Sequence, residues 1–144
     1  MDRRTALAGL AATITLPALT LPARASTPDL RFRDLYSRGT QLSDYAASLE
    51  GQRIEMTGYM APPLKPEIDF FVLTRMPMAV CPFCSDASDW PTDLVVSYSQ
   101  QPLDVVRYSD LIRVTGTFET GVATDPNTGF VSLVRLMDVS YRKL

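Results

Sequence analysis

A chain of 144 residues, 46% hydrophobic and 21% charged with a net charge of −2, has the make-up of one globular domain. It has no histidine and two cysteines, which excludes Ser-His-Asp and Cys-His nucleophilic sites and the histidine-bearing zinc protease and deaminase signatures. Its slight acid surplus gives no electrostatic footprint for nucleic acid, and no glycine-rich phosphate loop sits between a strand and a helix pattern.

The first segment, MDRRTALAGLAATITLPALTLPARAS, has the order of an export signal: Arg3-Arg4, an apolar run from Ala6 to Leu21, then the small-x-small site Ala23-Arg24-Ala25. Pro17 and Pro22 break the run, which is too short and alanine-rich for a spanning helix. The expectation is cleavage after Ala25 and a periplasmic protein. The paired arginines and weakly hydrophobic run favour the twin-arginine route over general secretion. Cleavage removes three arginines and one aspartate, moving the net charge from −2 to −4. No later apolar stretch is long enough to span a bilayer.

Residues 26–40 are polar and mixed in charge, and read as a flexible lead-in with a short helical piece around Leu35-Tyr36. A single domain is expected over 41–144. In TQLSDYAASLEGQ, Ser43 has the chemistry of a helix cap, Tyr45, Ala46 and Leu49 share a face, and Gly51 ends the helix. The period then changes from helical to strand-like. QRIEMTGYM sets Ile54, Met56 and Gly58 against Arg53, Glu55 and Thr57. APPLKPE is a proline-rich loop or edge. IDFFVLTR (68–75) and TDLVVSYS (92–99) follow as strands. SDLIRVTGTFET is a fourth, DPNTG (125–129) a turn, and FVSLVRLMDVSYRK a long fifth.

One short N-terminal helix and five strands predict an all-β domain. Gly58 and Gly116 lie inside strands, where glycine marks a bulge, a bend or a close backbone approach. Together these features suit a five-stranded OB-like barrel, with another β-rich sandwich as the competing architecture.

Ser48-Leu49-Glu50-Gly51, Ile54, Gly58-Tyr59-Met60 and Pro62 precede the hydrophobic strand Phe70 to Leu73, then Cys81-Pro82, then Leu94 to Val96. Over roughly residues 42–98 this order resembles a group of small exported bacterial proteins of unassigned function, with an OB-like barrel and a cysteine-containing loop. The resemblance implies fold and compartment and brings no assigned chemistry. Where the group has a histidine and an asparagine, this chain has Phe83-Cys84.

The chemistry-bearing stretch is TRMPMAVCPFCSDASDWPTD (74–93). Three readings of Cys81 and Cys84 stay open. A disulfide follows from an oxidising compartment, although a ring closed over three residues gains little chain entropy. A metal site would join their thiolates to the thioethers of Met76 and Met78, a soft set suited to Cu(I) ahead of Zn(II); each methionine alone is also ordinary packing. A thiol-disulfide oxidoreductase would use Cys81 as nucleophile and Cys84 as resolving thiol. That reading lacks the helix that lowers the attacking pKa, and nearby aspartates would raise it. Phe83, Trp90 and Tyr59 are candidates for a partner surface, against the plainer expectation that Trp90 caps the barrel end.

The expectation is therefore a periplasmic accessory binding protein, not an enzyme, acting through this loop on a metal or on a periplasmic or inner-membrane protein. The alternatives are the oxidoreductase and a structural domain with an inert CPFC bridge.

Overall fold

The computed structural model describes residues 25–63, 65, 67–79 and 92–144. Residues 1–24, nearly all of the expected export signal, and the sequence-derived candidates Cys81, Phe83, Cys84 and Trp90 lie outside the described residues.

The chain enters through a 3-10 turn at Phe32–Asp34, then a small hairpin of β1 (Tyr36–Arg38) and β2 (Gln41–Leu42). Helix α1 (Asp44–Ser48) follows, capped as expected: Ser43 Oγ accepts from the Ala46 N–H at 3.0 Å. Five strands make the body: β3 (Arg53–Met60), β4 (Phe70–Thr74), β5 (Leu94–Tyr98), β6 (Leu111–Thr124) and β7 (Val131–Lys143). They close in the order β3-β4-β5-β7-β6, with β5 and β7 parallel and every other pairing antiparallel. All five expected strands are present, and the chain is mostly β with one short helix.

Alternation explains the closure. Ile54 and Met56 of β3, Ile112, Val114 and Phe118 of β6, and Val134 and Leu136 of β7 all point inward and are fully buried. β4 departs from alternation, with every residue at most 1% exposed. Phe71 and Leu73 join the main core, while Val72 packs outward with Ala61 and Leu94, and against this second cluster lie Met78 and Phe130. Phe70 sits between the rings of Tyr98 and Phe130, at centroid distances of 5.2 and 6.0 Å.

Gly58 and Gly116 are sites of close approach. A Cβ at Gly58 would stand 2.5 Å from the Thr74 carbonyl oxygen. One at Gly116 would stand 2.8 Å from a Val139 methyl, where β6 and β7 change register and Asp138 takes φ 51°.

Three expectations are corrected. The lead-in is part of the domain: Leu30 and Leu35 are fully buried in the main core and Phe32 is 8% exposed. Burying each large apolar side chain stabilises by roughly 1.5–3 kcal/mol. Leu30 N–H also donates to Glu55 O, and Glu55 N–H to Pro28 O, in a short parallel bridge to β3. The helical piece falls earlier than expected, because Leu35 ends the 3-10 turn and Tyr36 already pairs with Leu42. Around α1, Ala46 and the C-cap residue Leu49 are buried in the core but Tyr45 is 47% exposed, its hydroxyl donating to Asp29 O.

Candidate functional site

The loop between β4 and β5 has a well-held neck. Thr74 pairs with Leu94 as the last rung, and the Arg75 N–H donates to Asp93 O at 3.2 Å. The Arg75 and Asp93 side chains also meet at 4.0 Å. Thr74 Oγ1 lies within hydrogen-bond reach of Tyr59 O (3.2 Å) and Met76 O (2.8 Å), tying β3 to the first turn of the loop. The two ends of the connection, at Arg75 and Asp93, are thus anchored side by side. Tyr59 lies beside it, paired with Thr74 on one side and Leu111 on the other.

The two methionines have different surroundings. Met76 is 64% exposed, whereas Met78 packs on the Ala61, Val72 and Leu94 cluster. A thioether at Met76 is open to a ligand; one at Met78 already fills an apolar gap. Among the described residues no group of three or more Cys, Asp or Glu side chains could hold a metal ion.

The described surface beside the neck is rich in arginine. A hollow of about 350 Å³ is lined by Asp29, Arg31, Phe32, Arg33, Thr57 and Arg75. A second, of about 240 Å³, shares Phe32, Arg33 and Arg75 and extends past Arg38 to Thr92 and Asp93. The segment Leu30-Arg31-Phe32-Arg33 alternates across its backbone, burying the apolar pair and setting both guanidinium groups outside. Arg31 meets Asp29 at 3.5 Å and Arg33 meets Asp34 at 3.7 Å, with side chains 59% and 65% exposed for the two arginines. Such long, exposed contacts are worth about 0–1 kcal/mol each. Among the described residues Arg38 has no ion pair. Sequence reasoning read these arginines as part of a mixed-charge lead-in; the strict alternation at 30–33 was the signal that could have found them.

Another polar group closes the β6–β7 hairpin. Asp125 is 5% exposed, and its Oδ1 accepts from Asn127 N–H, Thr128 N–H and Thr128 Oγ1–H at 2.8–3.1 Å. Tyr98 Oη donates to Oδ2 at 3.1 Å. Burial opposes ionisation of Asp125, but the Thr128, Tyr98 and Asn127 hydrogen bonds outweigh it and hold the carboxyl below its ordinary value. Tyr98 is pushed up to about 12, first by burial and then by the Asp125 charge. Beside it Arg135, 12% exposed, donates to Glu119, Ser132 and the Thr120 and Gly121 carbonyls. Most of the donors there meet internal acceptors, so this group chiefly locks the hairpin.

No family profile and no curated protein sequence matches the chain. Its fold is similar to the crystal structure of a DUF3299 family protein from Pseudomonas aeruginosa PAO1, with a TM-score of 0.55 and 14% identity over 83% of this chain and 97% of that one. At that identity the likeness concerns the fold alone. It sets this chain beside a small bacterial protein whose family carries a number in place of an activity. Among the described residues no helix is long and apolar enough to cross a membrane.

Proposed function

We propose that this is a periplasmic accessory binding protein, exported and cut after Ala25, that engages a metal ion or a partner protein through the β4–β5 loop. The barrel is OB-like in this reading. Its support is the strand order: taking β3 to β7 as the five strands, the first pairs with the second and fourth, and the third runs parallel to the fifth. The observation that carries the functional reading is the neck. Thr74, Arg75 and Asp93 hold one long connection at a fixed place, and that connection contains both cysteines of the chain. Cys81 and Cys84, together with the exposed Met76 earlier in the same connection, supply soft donors for Cu(I) or Zn(II). Phe83, Trp90 and Tyr59 supply the apolar contact for a partner.

The test is a titration of freshly reduced mature protein with Cu(I) and Zn(II), run beside an insulin-reduction assay. The expected result is one bound equivalent that disappears in Cys81→Ser, with no catalysed reduction of insulin. Catalysed reduction would make the protein an oxidoreductase. Failure to take up metal, together with unchanged partner capture when both cysteines are replaced, would leave the CPFC bridge inert.

A further inference from the structure

We infer that the two arginine-lined hollows beside the neck form one groove that takes an acidic peptide segment of a partner protein. This goes beyond the loop reading, since it uses neither cysteine and none of the loop's aromatic residues. Four guanidinium groups, Arg31, Arg33, Arg38 and Arg75, gather on one face of a chain whose mature form carries a net negative charge. Their internal partners are weakly engaged. The contacts to Asp29, Asp34 and Asp93 run from 3.5 to 4.0 Å, each through a single nitrogen. A guanidinium offers five N–H donors in a planar fork. Most of that capacity is therefore unspent, unlike at Arg135, where four of the five donors meet acceptors. An incoming carboxylate that binds a fork through both oxygens outcompetes a single long contact.

Shape and interspersed charge select the partner class. The hollows are concave, with Phe32 between them as an apolar floor. Asp29 and Asp93 stand among the arginines, where they repel an unbroken row of phosphates and accept backbone N–H groups from a peptide. Thr57 adds a sheet position. On β3, Glu55 meets Asp29 and Tyr59 meets Thr74, while Thr57 between them pairs only with Arg113 among the described residues. The groove thus runs past an interruption in strand pairing, where extended backbone is the natural occupant.

The experiment uses the mature chain and a short fluorescein-labelled peptide alternating Glu and Val, with its Gln-for-Glu counterpart as control and anisotropy as the readout. The acidic peptide binds and the Gln peptide does not; the complex weakens as NaCl rises from about 0.05 to 0.5 M. Arg33→Gln with Arg75→Gln lowers affinity about five- to tenfold, whereas Arg107→Gln, which removes a charge lining neither hollow, leaves it unchanged. Asp29→Asn with Asp93→Asn raises it, a change of opposite sign that guards against misfolding of the arginine variant. Cys81→Ser with Cys84→Ser retains peptide binding, so the groove and the loop are judged separately. Equal binding of both peptides, or indifference to the arginine and aspartate variants, overturns the inference. Binding of phosphatidylglycerol vesicles or oligo(dT) in place of the acidic peptide overturns it as well.

Discussion

Gly58→Ala tests the packing that sets the groove against the barrel. The new methyl would stand 2.5 Å from the Thr74 carbonyl oxygen, 3.0 Å from Phe32 Cε2 and 3.2 Å from Leu73 Cδ1. An unstrained carbon–oxygen approach is about 3.3 Å or more, so something must move by nearly an ångström. Thr74 resists, since it pairs with Tyr59 and Leu94 and its hydroxyl is tied to Tyr59 O and Met76 O. Phe32 and Leu73 belong to the closed core. Overpacking of this kind costs about 1–3 kcal/mol, and a backbone oxygen places it at the upper end. Alanine recovers about 0.4–1 kcal/mol by restricting the unfolded chain. The net expectation is a loss of about 2 kcal/mol, or about 6–12 °C in Tm for a domain of this size. Urea unfolding should show a lower midpoint at an unchanged slope. A variant within about 0.5 kcal/mol of the parent would refute the close approach.

Gly116→Ala should cost less, about 1 kcal/mol, because one of its contacts is a Val139 methyl at 2.8 Å that can shift with its side chain; calorimetry against Gly58→Ala reads the order. Arg135→Ala should cost about 1–2 kcal/mol in urea melts, since it removes the half-buried bonds to Ser132 and the Thr120 carbonyl and the packing of its stem, while the half-exposed Glu119 carboxylate stays solvated. Arg135→Lys should recover part of this, because it keeps the charge and loses the fork. Asp125→Ala should cost about 2–3 kcal/mol at neutral pH. The folded carboxyl is held low, so its contribution is present above the ordinary carboxylate pKa and is lost as pH falls through the lower folded value. The gap between parent and variant should therefore narrow in melts near pH 3. Tyr98 works in the other direction. Its folded value is raised to about 12, so its neutral form stabilises below pH 10 and that benefit fades as pH rises towards 12. Phenolate absorbance should show a component near 12 that is missing in Tyr98→Phe.

The barrel was legible where burial alternates. Ile54, Met56, Ile112 and Val114 announce their strands because each has one wet and one dry face. Ser43 announces its helix because a cap is a local event. The strand-interior glycines are legible too, since few structural roles are open to them. The lead-in escaped notice because its alternation lasts only from Leu30 to Arg33, and its burial depends on β3, which comes later in the chain. Tyr45 faces out despite its apolar neighbours because its hydroxyl finds the Asp29 carbonyl. β6 runs beyond Thr120 to Thr124 through a second register change near Gly121, held by Arg135 from the facing strand. For the site, CPFC stood out by residue type alone. The arginine groove did not, because Arg31, Arg33, Arg38 and Arg75 meet only once the entry segment lies along β3 and β4 returns beside it.

Export, and a metal ion or partner protein held at the β4–β5 loop, are proposed together and can be tested together. Native mass spectrometry of the protein taken gently from its own exported fraction, with Cys81→Ser/Cys84→Ser alongside, tests them most directly. The account predicts a chain beginning at Ser26 with a metal ion or a partner protein held at the loop, and a variant of the same fold that has lost that loop-bound species. A parent that is equally bare, or one that stays inside the cell with its leader attached, would contradict it.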